Sequence, residues 1–132
     1  MAFLGKEYKF EKQENFDGFL KAAGLPEEQI AKFLEFKPSS KLELNGDTFT
    51  YTSTTPEGSK QTSFKSGVQF DDKIQDKIPI KTTYTVEGNV VTQVVSSDMG
   101  SATFKREYNG DELLVTITGS KFDGVAKRWY KA

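Results

Sequence analysis

The chain has 132 residues, 36% of them hydrophobic and 28% charged, which predicts one globular domain spanning residues 1–132. Lys and Arg total 18 and Asp and Glu total 19, so the net charge of −1 excludes the strongly basic balance of a nucleic-acid-binding protein. The sequence contains no Cys and no His, which excludes disulfides and thiolate metal sites and removes the commonest general base and metal ligand.

The first predicted elements are a strand at residues 7–12 and a short helix. Asn15 can cap this helix at its start, and Gly24 fits a left-handed stop at its end. The apolar residues at helical spacing form one face: Phe16, Phe19 and Leu20.

A second helix is predicted to begin at Pro26, which is followed by two acids, and to end at residues 36–38. Its apolar stripe consists of Ile30, Phe33 and Leu34. The pair therefore forms a helix–turn–helix. Residues 15–37 hold four acids against three lysines, so we reject a DNA-reading role.

The rest of the chain is punctuated by turn signals such as Asn-Gly and Asp-Gly, mostly 10 to 15 residues apart. Runs rich in Thr, Val, Tyr and Phe separate these signals and predict a meander of about ten antiparallel strands. The clearest runs are residues 41–44, 48–55, 81–86, 90–96, 102–108, 113–118 and 125–131.

Most of these strands have mixed faces rather than one apolar and one polar face. In residues 48–55 the threonines share one face, while Phe49, Tyr51 and Ser53 share the other. A closed barrel with a partly polar interior satisfies this pattern, and so does a sandwich with Thr-rich edges. The pattern alone leaves both architectures open.

The last strand has a distinctive alternation. Lys127 and Lys131 flank Trp129 on one face, which predicts that this face is wet and that Arg128 and Tyr130 point inward. A guanidinium beside a phenol hydroxyl suits a carboxylate. By the same period, Phe104, Arg106 and Tyr108 share one side of an earlier strand.

A simpler interpretation of the arginines stays open. Either arginine side chain could lie at the surface and pair with a neighbouring acid such as Glu107 or Asp111. An inward arginine is costly unless it finds a partner.

Several segments together resemble the intracellular lipid-binding proteins, in particular the cytosolic fatty acid-binding proteins. The similar segments lie in register along residues 3–132: residues 5–10, 14–20, 37–38, 44–47, 67–71, 104–106 and 128–130. Residues 107–111 look like insect midgut members. The resemblance implies an all-β fold, a ten-stranded antiparallel up-and-down β-barrel of the lipocalin type capped by the helix–turn–helix.

The resemblance also implies roles for individual residues. Arg106, Arg128 and Tyr130 match positions that hold a ligand carboxylate. Cavity or portal positions are matched by Phe16, Leu20, Phe33, Phe36, Pro38, Tyr51, Ser53, Thr55, Asp76, Ile78, Phe104, Val115 and Ile117.

The implied function is non-covalent binding and intracellular transport of one long-chain fatty acid. Retinoic acid is the alternative ligand, since it would use the same residues; retinol carriers of the family have Gln where this chain has Arg106 and Arg128. We expect a monomer without cofactor or metal, and neither nucleic-acid binding nor stable membrane insertion, although transient membrane contact is allowed. The first five residues form no secretory signal and the apolar runs are short, so we expect a cytoplasmic location.

Two other classes of function are weighed against the carrier. An enzyme would need acid–base groups, but the pair Asp71 and Asp72 is typical of a turn. A protein-docking module would expose the aromatic face of the helices, whereas aromatic stripes at helical spacing are more often buried. We therefore expect a binding protein that is not an enzyme.

Overall fold

The structure, a computed structural model, describes residues 3–35, 37–56, 58–74, 78–98 and 100–132. These residues form ten strands and two helices, close to the elements predicted from the sequence, but the pair Asp71 and Asp72, interpreted as a turn, lies within a strand. The bounds are β1 Glu7–Glu14, α1 Phe16–Ala22, α2 Glu27–Glu35, β2 Ser39–Asn45, β3 Thr48–Thr55, β4 Gly58–Phe64, β5 Gln69–Ile74, β6 Ile78–Glu87, β7 Val90–Ser97, β8 Gly100–Asn109, β9 Glu112–Gly119 and β10 Phe122–Lys131.

All ten strands belong to one antiparallel sheet with the order β4-β3-β2-β1-β10-β9-β8-β7-β6-β5. Strands that are neighbours along the chain are neighbours in the sheet, except β4 and β5, which are its two end strands; in addition, β1 pairs with β10 and so joins the two ends of the chain. The pairing shifts register between Phe10 and Lys12, which marks a bulge in β1. The predicted up-and-down barrel with a helical cap is confirmed, and the sandwich alternative is wrong.

The two end strands of the sheet, β4 and β5, meet through side chains instead of a described ladder of hydrogen bonds. Lys60 Nζ on β4 lies 3.8 Å from Asp72 Oδ1 on β5. Phe64 on β4 also stacks on Tyr84 of β6 with ring centroids 4.2 Å apart, and Tyr84 stacks in turn on Phe70 of β5 at 6.1 Å. The barrel is therefore nearly closed, and aromatic packing fills the gap between its end strands.

The first helix, α1, has a residue with left-handed backbone at its N-cap and another just after its C-cap. Asn15 is the cap residue, as predicted, but its side chain makes no capping hydrogen bond: φ is 57°, and Nδ2 donates to the Val125 carbonyl on β10 at 3.3 Å. At the other end, Gly24 has φ of +82° and its N–H donates to the Lys21 carbonyl at 3.0 Å. Asn15 thus attaches the helical cap to the barrel.

The second helix, α2, is hydrogen-bonded from Pro26, whose carbonyl accepts the Ile30 N–H at 3.0 Å, and ends at Glu35. The helices turn their apolar residues toward the barrel: Phe16, Phe19, Leu20 and Ile30 are all buried. The alternative of an exposed aromatic docking face is therefore wrong. Neither described helix has the length and apolarity needed to cross a membrane.

The end of the barrel opposite the helices is closed by aromatic residues. Phe3 stacks on Tyr108 at 4.3 Å, and Tyr8 packs against Tyr108 edge-on. The Tyr8 hydroxyl donates a 2.8 Å hydrogen bond to the Gly110 carbonyl. These contacts give the interior a floor, so its open space lies toward the helices.

Candidate functional site

A cavity of about 260 Å³ lies between the helices and strands β7 to β10. Its lining is mainly apolar: Phe16, Phe19, Leu20, Ala23, Leu25, Phe33, Ile80, Val95, Ala102, Phe104 and Phe122. Serine and lysine side chains of the β7–β8 and β9–β10 turns, among them Ser97 and Lys121, form part of the lining near its rim. Deeper in the wall, the polar side chains are Gln93 and Arg128.

The strand register arranges the inward side chains of β7 to β10 in rows across the sheet. We call the deeper one the arginine row: Val91, Arg106, Val115 and Arg128. Two residues nearer the helices lies the glutamine row: Gln93, Phe104, Ile117 and Ala126. Val115 separates the two arginines, because it is the cross-strand neighbour of both.

Arg128 is buried, with 6% of its surface exposed, and it borders the cavity. Its guanidinium carbon lies 4.8 Å from the ring centroids of Phe10 and Phe16 and 5.7 Å from that of Tyr130. Burial lowers the pKa of Arg128 and raises the pKa of Tyr130 to about 12. Because arginine stays protonated in proteins and the pKa of Tyr130 is raised, the pair presents one cation and one neutral phenol at neutral pH.

Arg106 is buried to a similar degree, with 8% exposed, but it does not border the cavity. Its Nη2 donates to Gln93 Oε1 at 2.8 Å, and its guanidinium carbon lies 5.1 Å from the Tyr51 ring centroid and 5.7 Å from that of Tyr84. Its Nε and Nη1 have no hydrogen-bond partner among the described residues.

Arg106 stays protonated although it is buried. Burial acts to lower its pKa, but the facing phenol groups of Tyr51, Tyr84 and Tyr108 outweigh that effect, and the pKa is raised. None of the Asp and Glu side chains in the described ranges forms an ion pair with Arg106.

The interpretation of the arginines as surface residues paired with acids is wrong, because both are buried. Asp111, one of the suggested partners, instead pairs with Lys6 at 3.1 Å. The expected wet face of β10 is confirmed: Lys12 Nζ lies 4.8 Å from the centroid of the Trp129 ring on the outside of the barrel.

The predicted site residues divide between the cavity wall and its surroundings. The wall contains Phe16, Leu20, Phe33, Phe104 and Arg128. The others lie outside the wall: Arg106 and Tyr51 in contact with each other, Tyr130 beside Arg128, Val115 and Ile117 buried in the sheet, Pro38 buried beyond α2, and Ser53 and Thr55 half-buried on β3. Phe36 and Asp76 fall outside the described residues, and of Ile78 only the backbone is described.

Sequence reasoning missed Gln93 and Phe10. Gln93 touches both the cavity and Arg106, and Phe10 covers one face of the Arg128 guanidinium. A usable signal for Gln93 exists, since it interrupts the buried positions Val91 and Val95 on the same face of β7. A polar residue in such a position needs a partner inside the protein.

The site suits an amphipathic anion better than a metal. Within the described part of the chain, no group of three or more Asp and Glu residues is placed to hold a metal ion. The cavity offers apolar surface for a hydrocarbon chain, and Arg128 offers a cation in its wall, with the ring of Tyr130 beside the guanidinium.

Comparison with known proteins gives one consistent result. Over its full length, the chain is 64% identical to fatty acid-binding protein 1 and 58% identical to fatty acid-binding protein 2 of Manduca sexta, covering all of each. A solved structure of the fatty-acid-binding protein isolated from Manduca sexta matches with a TM-score of 0.94 and 58% identity, covering 98% of this chain and 99% of that one. A family model matches residues 1–129. The chain belongs to the lipocalin / cytosolic fatty-acid binding protein family.

Proposed function

We propose that this protein binds one long-chain fatty acid non-covalently inside its barrel and transports it within the cytoplasm as a monomer. In this proposal Arg128 and Tyr130 bind the ligand carboxylate directly, and Arg106 contributes its charge from behind the wall or through a water. The family membership and the names of the Manduca sexta relatives support fatty acid binding and transport. By the same membership, the chain is a binding protein and not an enzyme.

The observation that carries the proposal is a buried cation in the wall of an apolar cavity. Arg128 faces the cavity with its charge intact, and Tyr130 stands next to it. A carboxylate entering this space would gain charge-assisted hydrogen bonds in a medium where they are strong. A neutral lipid would leave the guanidinium without that gain.

The hydrocarbon chain supplies most of the binding energy in this mechanism. Each methylene group removed from water contributes about 0.8 kcal/mol. Phe16, Phe33 and Phe104 offer such apolar contact along the path from Arg128 to the helices. Because α1 and α2 cover the cavity, they must move for the ligand to enter, and the contact between Phe16 and Arg128 links that movement to the carboxylate site.

The same groups would accept other hydrophobic carboxylates, so retinoic acid is the competing ligand. The proposal is tested first by native mass spectrometry of the freshly purified protein, followed by extraction and identification of any bound molecule. The delipidated protein is then titrated with oleate and with retinoate. We expect one bound fatty acid per chain and tighter binding of oleate.

Two variants test the carboxylate site. Arg128→Leu should weaken oleate binding about tenfold or more, since it removes a charge-assisted interaction. Lys127→Leu is the matched control, because it removes a cation from the outward face of the same strand, and it should leave affinity within about twofold. A protein that binds neither acid contradicts the proposal, and an Arg128→Leu variant with unchanged affinity contradicts the assigned residue.

A further inference from the structure

Gln93 stands alone as a polar residue in the glutamine row. Its row partners Phe104, Ile117 and Ala126 are apolar, and so are Val91 and Val95 on either side of it along the inward face of β7. It also borders the cavity. An amide in the middle of an apolar wall is costly unless both of its ends have partners.

One end of this amide is fixed by its partner. Arg106 can only donate hydrogen bonds, so the group 2.8 Å from its Nη2 must be the amide oxygen of Gln93 and cannot be the nitrogen. The amide nitrogen, Nε2, is therefore turned away from the guanidinium. Arg106 acts here as a positioning residue that sets the orientation of the amide.

The other end has no acceptor within the described protein. The hydrogen bonds of the described residues include one for the Gln93 side chain, and it uses Oε1. Nε2 is not among the buried nitrogen atoms without a partner, so it keeps accessible surface. Since the side chain faces inward and borders the cavity, that surface belongs to the ligand space.

We propose that Gln93 forms a second polar subsite, which donates a hydrogen bond to an acceptor oxygen on the chain of the ligand and selects oxygenated fatty acids such as oxo acids. This inference rests on the proposed function, because it assumes that the carboxylate lies at Arg128. The subsite is distinct from the carboxylate site: it belongs to β7, whereas Arg128 belongs to β10.

The register places the preferred oxygen partway along the chain. The glutamine row lies two residues nearer the helices than the arginine row, which corresponds to roughly 7 Å along the strands. A chain that leaves Arg128 toward the helices must pass this level to fill the cavity. An oxygen close to the carboxylate or at the far end of the chain would miss Nε2.

The subsite would select among ligands because a hydrogen-bond donor that loses its water and finds no acceptor costs free energy. A plain hydrocarbon chain that displaces water from Nε2 leaves the amide without an acceptor, whereas a carbonyl oxygen on the chain replaces that water. Sites built to hydrogen-bond a ligand discriminate more strongly than apolar pockets do. We expect a preference of about tenfold, measured relative to a variant without the donor.

The experiment measures dissociation constants for octadecanoate and for a positional series of oxo-octadecanoates. An oxo group accepts hydrogen bonds but cannot donate them, so it reports on the donor alone. The ratio of the two constants is compared between the native protein and Gln93→Met, which removes the amide at similar size. For one position of the oxo group, the native protein should favour the oxo acid over octadecanoate about tenfold more strongly than Gln93→Met does.

Two further variants separate the donor from other effects. Gln93→Glu keeps an acceptor for Arg106 but removes the N–H donor, so it should lose the preference as Gln93→Met does. Gln61→Met makes the same change at an exposed position of β4 and should keep the native ratio. If both Gln93 variants fail to fold, the side-chain amide resonance of Gln93 in the native protein gives the answer, because it should shift with the preferred oxo acid and not with octadecanoate.

The possible results distinguish this inference from the proposed function. If octadecanoate fails to bind the native protein, the proposed function is wrong, and the subsite proposal, which depends on it, is wrong too. If octadecanoate binds but the ratio is the same within twofold at every position, or the Gln93 resonance does not respond to any oxo acid, the subsite alone is wrong. If Gln61→Met changes the ratio as much as Gln93→Met does, the subsite proposal is also wrong.

Discussion

Nη2 of Arg106 donates a 2.8 Å hydrogen bond to Oε1 of Gln93, so a buried cation has a neutral amide as its hydrogen-bond partner. The rings of Tyr51, Tyr84 and Phe104 surround the guanidinium at 5.1 to 5.9 Å and supply cation–π attraction. This attraction offsets only part of the cost of taking a cation out of water. We therefore expect Arg106 to lower the stability of the ligand-free protein relative to an apolar side chain of similar size, and we attribute its presence to ligand binding.

A substitution at Arg106 tests this conclusion. Arg106→Met should raise the free energy of unfolding of the ligand-free protein by about 1 kcal/mol or more, because an apolar side chain of similar length removes the desolvation cost. It should also weaken fatty acid binding. Urea unfolding and ligand titration of the same preparation check both effects. A loss of stability would show that the hydrogen bond and ring contacts outweigh desolvation.

The hydroxyl group of Tyr130 is expected to act on affinity and not on stability. Tyr130→Phe keeps the ring that packs edge-on against Phe10 at 5.7 Å, and should weaken oleate binding about fivefold through loss of one hydrogen bond. Tyr8→Phe is the matched control, since the Tyr8 hydroxyl binds the Gly110 carbonyl at the floor. That control should lose about 1 kcal/mol of stability without losing affinity. The reverse pattern in the two variants would contradict the assignment.

Local sequence patterns predicted the strands well, because the turn residues and the period of two act over short distances. The alternation of Lys127 and Lys131 around Trp129 predicts that Arg128 and Tyr130 point inward, and both are buried. The pairing of β1 with β10 joins residues more than 100 positions apart, so no local pattern specifies it, and only the family resemblance implied it.

Two features of the structure depend on contacts between different secondary-structure elements. The orientation of the Gln93 amide is set by Arg106 on the next strand, and nothing in the sequence near Gln93 indicates that partner. Asn15 was predicted to cap α1 from its residue type, but its amide instead reaches Val125 on β10. In both cases the partner is found only when the barrel has closed.

The aromatic stack around Phe64, beside the gap between β4 and β5, is expected to stabilise the protein more than the ion pair that spans the gap. Phe64 is 4% exposed and stacks on both Phe49 and Tyr84, so Phe64→Ala should cost about 3–5 kcal/mol of unfolding free energy. Lys60→Met removes the partly exposed pair with Asp72 and should cost less than about 0.5 kcal/mol. Denaturant unfolding of the two variants measures the difference. Equal losses would show that the ion pair matters as much as the stack.

The hydrogen bond from Asn15 Nδ2 to the Val125 carbonyl, called here the tether, joins the helical cap to the barrel and can be tested by substitution of Asn15. Asn15→Ala keeps a Cβ at φ of 57° but removes the polar side chain that makes this left-handed backbone tolerable for Asn, and should cost about 1–2 kcal/mol. Asn15→Gly tolerates this backbone and should cost less, although both variants lose the bond to Val125. If the tether restrains the cap, both should release oleate faster than the native protein in stopped-flow measurements. Unchanged release rates would limit the role of Asn15 to backbone conformation.

Alkaline pH should destabilise the protein through its buried tyrosines. Burial raises the pKa of Tyr84 and of Tyr130 from 10.0 to about 12, so the folded state holds these protons more tightly than the unfolded chain does. Their contribution to stability is complete below pH 10 and is lost as pH rises toward 12; each shift corresponds to roughly 3 kcal/mol. Urea unfolding at a series of pH values across this range measures the slope. Tyr130→Phe removes one of these groups and should reduce the slope, and an unchanged slope in that variant would show that Tyr130 does not contribute to the alkaline loss of stability.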